Sequence, residues 1–302
     1  MRKNKPATLK PGDKIGIVSP ARFVIPSEID GALKWIRSKG FEPVLGKHVF
    51  DRMDQFAGED KDRASDIKAF MEDPEISCIW STRGGYGSVR LIPFLSEISL
   101  ETPPKWFVGF SDLTVFHSWF HVRFNLQSIH GPMLYSWNES PESLESFSAL
   151  NRVLSTGRID YEYNRHPLNR GDEMQGVLVG GNLSMLYSLR GTDLDLVVNH
   201  KILFLEDVDE YLYHLDRMMQ NLKHAGWLSG ISGLVIGGMN KMNDNNIPFG
   251  HTPEEIITSL TADSQIPVFF GHPAGHQDRN MPLVFGEEIR LQCMGDIVHS
   301  RQ

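Results

Sequence analysis

The chain reads as an α/β protein with a parallel sheet in its first half and a less regular, mixed second half. Three observations predict this. Residues 14–130 alternate short apolar runs with segments of helical spacing, and such alternation implies a parallel sheet covered on both faces. A polar stretch at 136–172 then breaks the pattern. Beyond it, apolar runs of strand length recur without regular helices between them.

Lys14–Val18 is a short buried strand. Ser27 is placed to cap a helix in which Ile29, Ala32, Leu33 and Ile36 share a face, and Gly40 closes it. Phe41–Leu45 is a second strand. Asp60–Met71 is a helix with Ala64, Ile67, Phe70 and Met71 on one side. Ile76–Trp80 is a third strand, followed by the turn Arg83-Gly-Gly-Tyr-Gly87 and a helix through Leu91. Trp106–Phe110 is the fourth strand, with a helix after Ser111, and Leu126–His130 is the fifth. Ser140-Pro141 and the polar run from Tyr163 to Asp172 suggest a helix and then a linker. The expected division is 1–155, a linker at 156–172, and 173–302. In the second part Gly176–Val179, Ile202–Leu205, Leu234–Ile236, Pro267–Phe270 and Ile289–Leu291 read as strands. Tyr211, Leu215, Met218, Met219 and Leu222 line one helix face ending near Gly226. No repeat or low-complexity tract is visible.

Length and composition fit two globular domains: 302 residues, 40% hydrophobic and 23% charged. Thirty basic residues face 38 acidic ones, a formal net charge of -8. That argues against a nucleic-acid or membrane-surface binder, since both need a basic face. Cys78 and Cys293 sit in apolar strand-like stretches and read as buried small hydrophobes, too few for a disulfide framework. The basic N-terminus lacks the apolar core, about 7–15 residues long, of a signal peptide. No apolar run approaches the ~18 residues of a membrane span. The expected location is the cytoplasm.

Chemistry centres on Trp106-Phe-Val-Gly-Phe-Ser-Asp-Leu-Thr114. A serine on a tight strand-to-helix turn points its hydroxyl past the sheet, toward the start of the next helix. Serine is also a common helix cap. A nucleophilic serine needs a base, and the base needs an orienting acid. Glu206 follows the apolar strand Lys201–Leu205, at the carboxyl end where open α/β sheets build sites. With Asp207, Asp209 and Glu210 beside it, it also reads as a surface-loop acid. His276 and its rival His272 lie in the shaped loop Gly271–Asn280. The order Ser, acid, His is that of α/β hydrolases, but Leu113 stands where G-x-S-x-G has its second glycine. The Asp112 N–H and the glycine loop 83–87 could supply donors to an oxyanion. Arg83 could pair with a substrate carboxylate. The loop lacks the Lys-Ser/Thr ending of a P-loop and the spacing of a dinucleotide site. His117 and His121 lie one helical turn apart, but Ser118 stands where a metalloprotease has its glutamate. No metal and no cofactor are expected.

Several segments together resemble one family: Arg83-Gly-Gly-Tyr-Gly87, Gly109-Phe-Ser-Asp-Leu-Thr114, His130-Gly-Pro-Met133, Gly180-Gly-Asn-Leu-Ser-Met-Leu186, Leu203-Phe-Leu-Glu-Asp207 and Gly275-His276. They resemble, in order and across residues 11–291, the L,D-carboxypeptidases of murein tetrapeptides, a family that includes microcin C self-immunity peptidases. The resemblance implies an N-terminal flavodoxin-like domain, a C-terminal β-rich domain and a homodimer. It implies a nucleophile at Ser111, an acid at Glu206 and a base at His276 rather than His272. It places the oxyanion hole at the backbone N–H groups of Gly85 and Asp112. Arg83, Gly84, Tyr86 and Asn182 are expected to touch substrate. Val284 departs from the family's usual proline in the loop after His276. Length and Phe56-Ala-Gly58 lean toward the murein enzymes. The expected activity is release of the terminal D-Ala from a murein tetrapeptide in cell-wall recycling. Two alternatives are an immunity-type peptidase acting on a peptidyl or aminoacyl nucleotide, and a non-catalytic module binding a murein peptide or a phosphate ligand.

Overall fold

The apolar run Lys14–Val18 forms β1, and Ile15, Ile17 and Val18 are fully buried because strands pair on both its edges. In the computed structural model, which describes residues 5–96, 98 and 102–302, β1 lies between β2 (Glu42–Leu45) and β3 (Ile76–Ser81). β4 (Trp106–Gly109) and β5 (Ser128–His130) extend the sheet, all parallel. The strand order 2-1-3-4-5 is that of flavodoxin-like sheets. Because side chains alternate along a strand, each face meets its own helices. Cys78, Trp80, Trp106 and Val108 pack with α1 (Pro26–Ser38) and with Phe147, Leu150 and Val153 of a later helix. Ile79 and Phe107 pack on the other face with α2 (Asp60–Glu72), α3 (Ile92–Leu95) and α4 (Thr114–Phe124).

Ser27 does not cap α1. The helix begins at Pro26, whose ring presets φ and has no N–H to satisfy. Glu28 Oε2 accepts the Ile25 N–H at 2.9 Å instead.

The stretch 136–172 is more ordered than a linker. It holds α5 (Pro141–Thr156), capped by Ser140 Oγ, which accepts the Ser143 N–H at 3.2 Å. It also holds β6 (Asp160–Asn164), inside the expected linker. Tyr161 and Tyr163 are buried while their neighbours are exposed, and β6 closes the edge of a second sheet.

That sheet is mixed. β7 (Glu173–Asn182), β8 (Ile202–Val208), β9 (Gly233–Asn240) and β10 (Val268–Phe269) run parallel. β11 (Leu283–Phe285) leaves this half and pairs antiparallel with β5, so the two halves share a sheet. β12 (Glu288–Met294) and β13 (Ile297–Arg301) then join β7 to β6 as antiparallel strands. Val284 lies within β11, and its N–H donates to Gln302 Oε1 at 2.9 Å, a bond a proline could not make. α6 (Leu183–Leu189), α7 (Leu212–His224), α8 (Trp227–Gly230) and α9 (Pro253–Leu260) cover the parallel part.

The halves touch closely where β7 meets α4. Gly181 has φ +145°, and a Cβ there would lie 2.5 Å from Thr114 Cγ2. Thr114 Oγ1 accepts the Asn182 N–H at 3.0 Å across this junction. Cys78 is buried, as expected of both cysteines, but Cys293 is only partly so. Among the described residues, no helix is long and apolar enough to cross a membrane.

Candidate active site

Ser111 stands one residue beyond the extended Phe110, at the carboxyl end of β4. Its φ is +64°, the left-handed region that a side chain occupies at a cost of about 1–3 kcal/mol. A short 3-10 turn at Ser111–Leu113 then feeds α4. The strain turns the hydroxyl away from the helix it precedes and toward the second half of the chain.

There it meets His276. Ser111 Oγ lies 3.0 Å from His276 Nε2, and His276 Nδ1 lies 2.6 Å from Glu206 Oε2. An ionised carboxylate only accepts, so Nδ1 carries the proton and Nε2 is left to accept from the serine hydroxyl. The His276 backbone N–H also donates to Glu206 Oε2, at 3.2 Å. The loop is held by the Asn240 Nδ2 donation to the His276 carbonyl and by Asn280 Oδ1, which accepts the Gly275 N–H at 2.8 Å. Gly275 has φ +103°, and a Cβ there would sit 2.7 Å from Glu206 Oε2. Phe110 packs edge-on against the imidazole, with ring centroids 4.9 Å apart.

Glu206 is not a loop acid. β8 runs on to Val208, and the Glu206 side chain is fully buried. Burial alone would raise its pKa, but the charge of His276 and hydrogen bonding from His130 and His276 overcome this and hold it at about 2. His276 is the mirror case. Burial pulls its pKa down, yet the Glu206 charge and hydrogen bond carry it above the ordinary 6.5. Asp207 is buried beside Glu206, and burial followed by that charge raises it to about 7. It accepts from Asn182 Nδ2 at 2.9 Å and from the Ser184 N–H at 2.9 Å.

The glycine loop packs directly on the serine. A Cβ on Gly84 would come 3.2 Å from Ser111 Cβ and 3.3 Å from its Oγ. Gly85 has φ +114°, and a Cβ there would meet Arg22 Cδ at 2.5 Å. Asp112, buried, accepts the Ser88 N–H at 2.8 Å and so ties the loop to the serine's turn. Burial raises the Asp112 pKa despite that bond. Arg63, fully buried in α2, donates to the Gly87 carbonyl at 3.3 Å and to the Pro20 carbonyl. The Arg83 guanidinium lies over the Tyr135 ring, 3.9 Å from its centroid. Tyr86 is exposed and leans on Phe56. Beside the serine and imidazole opens a cleft of about 500 Å³, lined by Phe110, Tyr135, Asn138, Lys241, His276 and Asp278 among others.

The structure thus brings Ser111, Glu206, His276, Gly84 and Asp112 together. Asn182 is mostly committed elsewhere: its Oδ1 accepts from Met185 N–H and Ser184 Oγ, capping α6. His272 is buried in the core, where its Nε2 lies 3.2 Å from the Tyr161 hydroxyl, and burial drives its pKa to about 3. His117 donates from Nε2 to the Gly109 carbonyl at 2.9 Å, so its Nδ1 accepts from Ser128 Oγ at 2.8 Å. His121 meets Lys201 Nζ at 2.9 Å. Arg63, Arg22, Asn240 and Asn280 went unread in the sequence. Only Arg63 left a signal there, as an arginine on the helix face that also carries Ile67 and Phe70.

Fold and site together are those of a serine-dependent hydrolase on a doubly wound sheet. Residues 15–131 match the LD-carboxypeptidase N-terminal domain and residues 175–291 the LD-carboxypeptidase C-terminal domain. The chain belongs to this family and is a serine carboxypeptidase, which removes the reading as a non-catalytic module. It is 29% identical over 303 residues to the murein tetrapeptide carboxypeptidase of Pseudomonas aeruginosa, covering 96% of this chain and 97% of that one. It is 26% identical over 318 residues to the microcin C7 self-immunity protein of Escherichia coli, covering 94% and 92%. The crystal structure of muramoyltetrapeptide carboxypeptidase from Oxalobacter formigenes superposes with a TM-score of 0.84 at 26% identity, covering 95% and 98%.

Proposed function

We propose that this chain is a serine L,D-carboxypeptidase that releases the terminal D-Ala from murein tetrapeptide, working in the cytoplasm in cell-wall recycling as a homodimer. The observation that carries this is the line of hydrogen bonds Ser111 Oγ–His276 Nε2 and His276 Nδ1–Glu206 Oε2. His276 takes the hydroxyl proton as Ser111 attacks the scissile carbonyl. Backbone N–H groups of Gly85 and Asp112 hold the oxyanion. His276 returns the proton to the leaving D-alanine nitrogen, and the acyl-enzyme remains on Ser111. A water, deprotonated by His276, then frees the tripeptide. Glu206 fixes the tautomer and stabilises the imidazolium. In this reading residues 1–155 carry the nucleophile and residues 173–302 the base and acid. Arg83, with Gly84, Tyr86 and the remaining amide hydrogen of Asn182, contacts substrate. A guanidinium suits a free terminal carboxylate.

Mass spectrometry of a murein tetrapeptide incubated with the protein tests this. The expected product has lost one alanine, with and without chelator, and is absent with Ser111→Ala. Tyr135, exposed at the cleft, favours a second reading in which an aromatic base stacks there. Hydrolysis of an aminoacyl sulfamoyl adenosine with the tetrapeptide left intact would select that immunity-type activity.

The base must be neutral to accept a proton, and His276 is held protonated above the ordinary 6.5. Activity therefore falls as pH drops through that raised pKa. The acidic limb of the kcat/KM profile is expected above pH 6.5. A limb below it would mean that Glu206 does not govern the imidazole.

A further inference from the structure

Three buried polar atoms near the site have no partner: both ring nitrogens of His130 and Oε1 of Glu206. Buried polar atoms are nearly always paired, so a cluster of orphans at one place asks for a cause. Here the orphans face each other. His130 Nε2 lies 4.0 Å from Glu206 Oε1, with both side chains fully buried. That gap is about 1 Å beyond a hydrogen bond. Hydrogen bonds at active sites often tighten only when substrate is engaged.

We infer that His130 is a positioning residue for the reaction: its Nε2–H donates to Glu206 Oε1, so that the carboxylate is gripped by an imidazole on each oxygen. This rests on the proposed roles of Glu206 and His276. The placement follows from the fold. His130 ends β5, directly opposite Gly109 of β4 and Leu283 of β11, at the seam where the two halves share a sheet. Its ring sits among Phe110, Phe204 and Phe285, with centroids 5.7, 5.1 and 5.5 Å away. A phenylalanine would fill that space as well, yet an imidazole is there. Phe110 touches both His130 and His276, so the same ring packs the two imidazoles that flank the carboxylate. The competing partner His117 is already spent on Gly109 and Ser128. With its second oxygen held, the Glu206 carboxylate cannot rotate away from Nδ1 of His276. Part of its charge is also drawn to His130, which limits how basic it makes His276.

His130→Phe keeps the packing and removes the donor. Its kcat is expected to fall about 10–100-fold, the worth of a hydrogen bond to a charged group, with KM little changed. The acidic limb of kcat/KM moves to higher pH, because an unshared Glu206 charge binds the His276 proton more tightly. The titratable groups that face His130 are Glu206, His117 and His272, and neither other histidine reaches Ser111. His130→Gln, which restores an N–H, is expected to recover part of kcat. In the unmodified protein, nitrogen-15 NMR of the histidine rings is expected to show His130 protonated at Nε2, with a slowly exchanging proton. A Phe variant with unchanged kcat and pH profile would overturn the inference, and so would a His130 ring protonated at Nδ1 alone. If His130→Phe does not fold, the spectrum decides. An absence of tetrapeptide cleavage by the unmodified protein would count against the proposed function, while the ring spectrum would still read the hydrogen bond.

Discussion

Ser111→Ala is expected to lower kcat about 10⁶-fold, His276→Ala about as far, and the double variant hardly further. The reason is that the two side chains act as one unit. Without the hydroxyl there is nothing for the imidazole 3.0 Å away to deprotonate. Without the imidazole the hydroxyl is a poor nucleophile at neutral pH. What survives is the polarising effect of the backbone donors and of substrate positioning, which both single variants retain. KM should change little, because neither group needs to bind the ground state. Losses that multiplied would mean two independent roles and would remove the triad. A stability measurement separates the serine's chemistry from its strain. Alanine keeps the Cβ and so keeps the cost of φ +64°. Ser111→Gly removes it and is expected to gain about 1 kcal/mol of unfolding free energy while remaining inactive. Chemical denaturation of the two variants reads that difference directly.

Much of this site was legible because its parts announce themselves locally. The run Trp106–Phe110 had to be a strand and the residues after Ser111 a helix, so the serine fell on the turn between them. Gly275 and the glycines at 84 and 85 mark close approaches that a Cβ would block. Glu206 was legible only through the family resemblance, since Asp207, Asp209 and Glu210 make it look like a surface acid. Burial decided otherwise, and burial depends on partners from other parts of the chain. The parts that did not read are all non-local. β6 hides its two buried tyrosines inside a polar run, and its partner β13 lies at the far end of the chain. β11 is three residues long, and its importance comes from pairing with β5 across the two halves. Asn182 was expected at the substrate, but α6 was not foreseen, and a helix start needs a cap. His130 read only as part of a motif, because what singles it out is an unpaired carboxylate oxygen that no spacing in the sequence reveals.

Glu206→Gln tests that carboxylate with almost no change of shape, and kcat is expected to drop about 10⁴-fold. Oε2 accepts two donors, the ring Nδ1–H and the backbone N–H of His276, so the glutamine carbonyl takes that place. The tautomer that leaves Nε2 free to accept is then kept, but the negative charge is lost. The imidazolium that forms as Ser111 attacks has no counter-charge in a buried site, and the barrier rises. The same loss lowers the His276 pKa, because burial now acts with nothing from Glu206 to oppose it. The acidic limb of kcat/KM should therefore move to lower pH even as kcat falls, a combination that a merely misfolded variant would not give. Stability should follow the carboxylate's own titration. Its folded pKa, about 2, lies below its ordinary 4.5. The ionised group therefore favours the folded state above pH 4.5, and that contribution disappears as pH falls toward 2. Glu206→Gln is expected to be less stable than the unmodified protein at neutral pH, with the gap closing between pH 4.5 and 2. A gap that stayed constant through that range would mean that the charge of Glu206 does not stabilise the fold, and that its hold on His276 is one of shape alone.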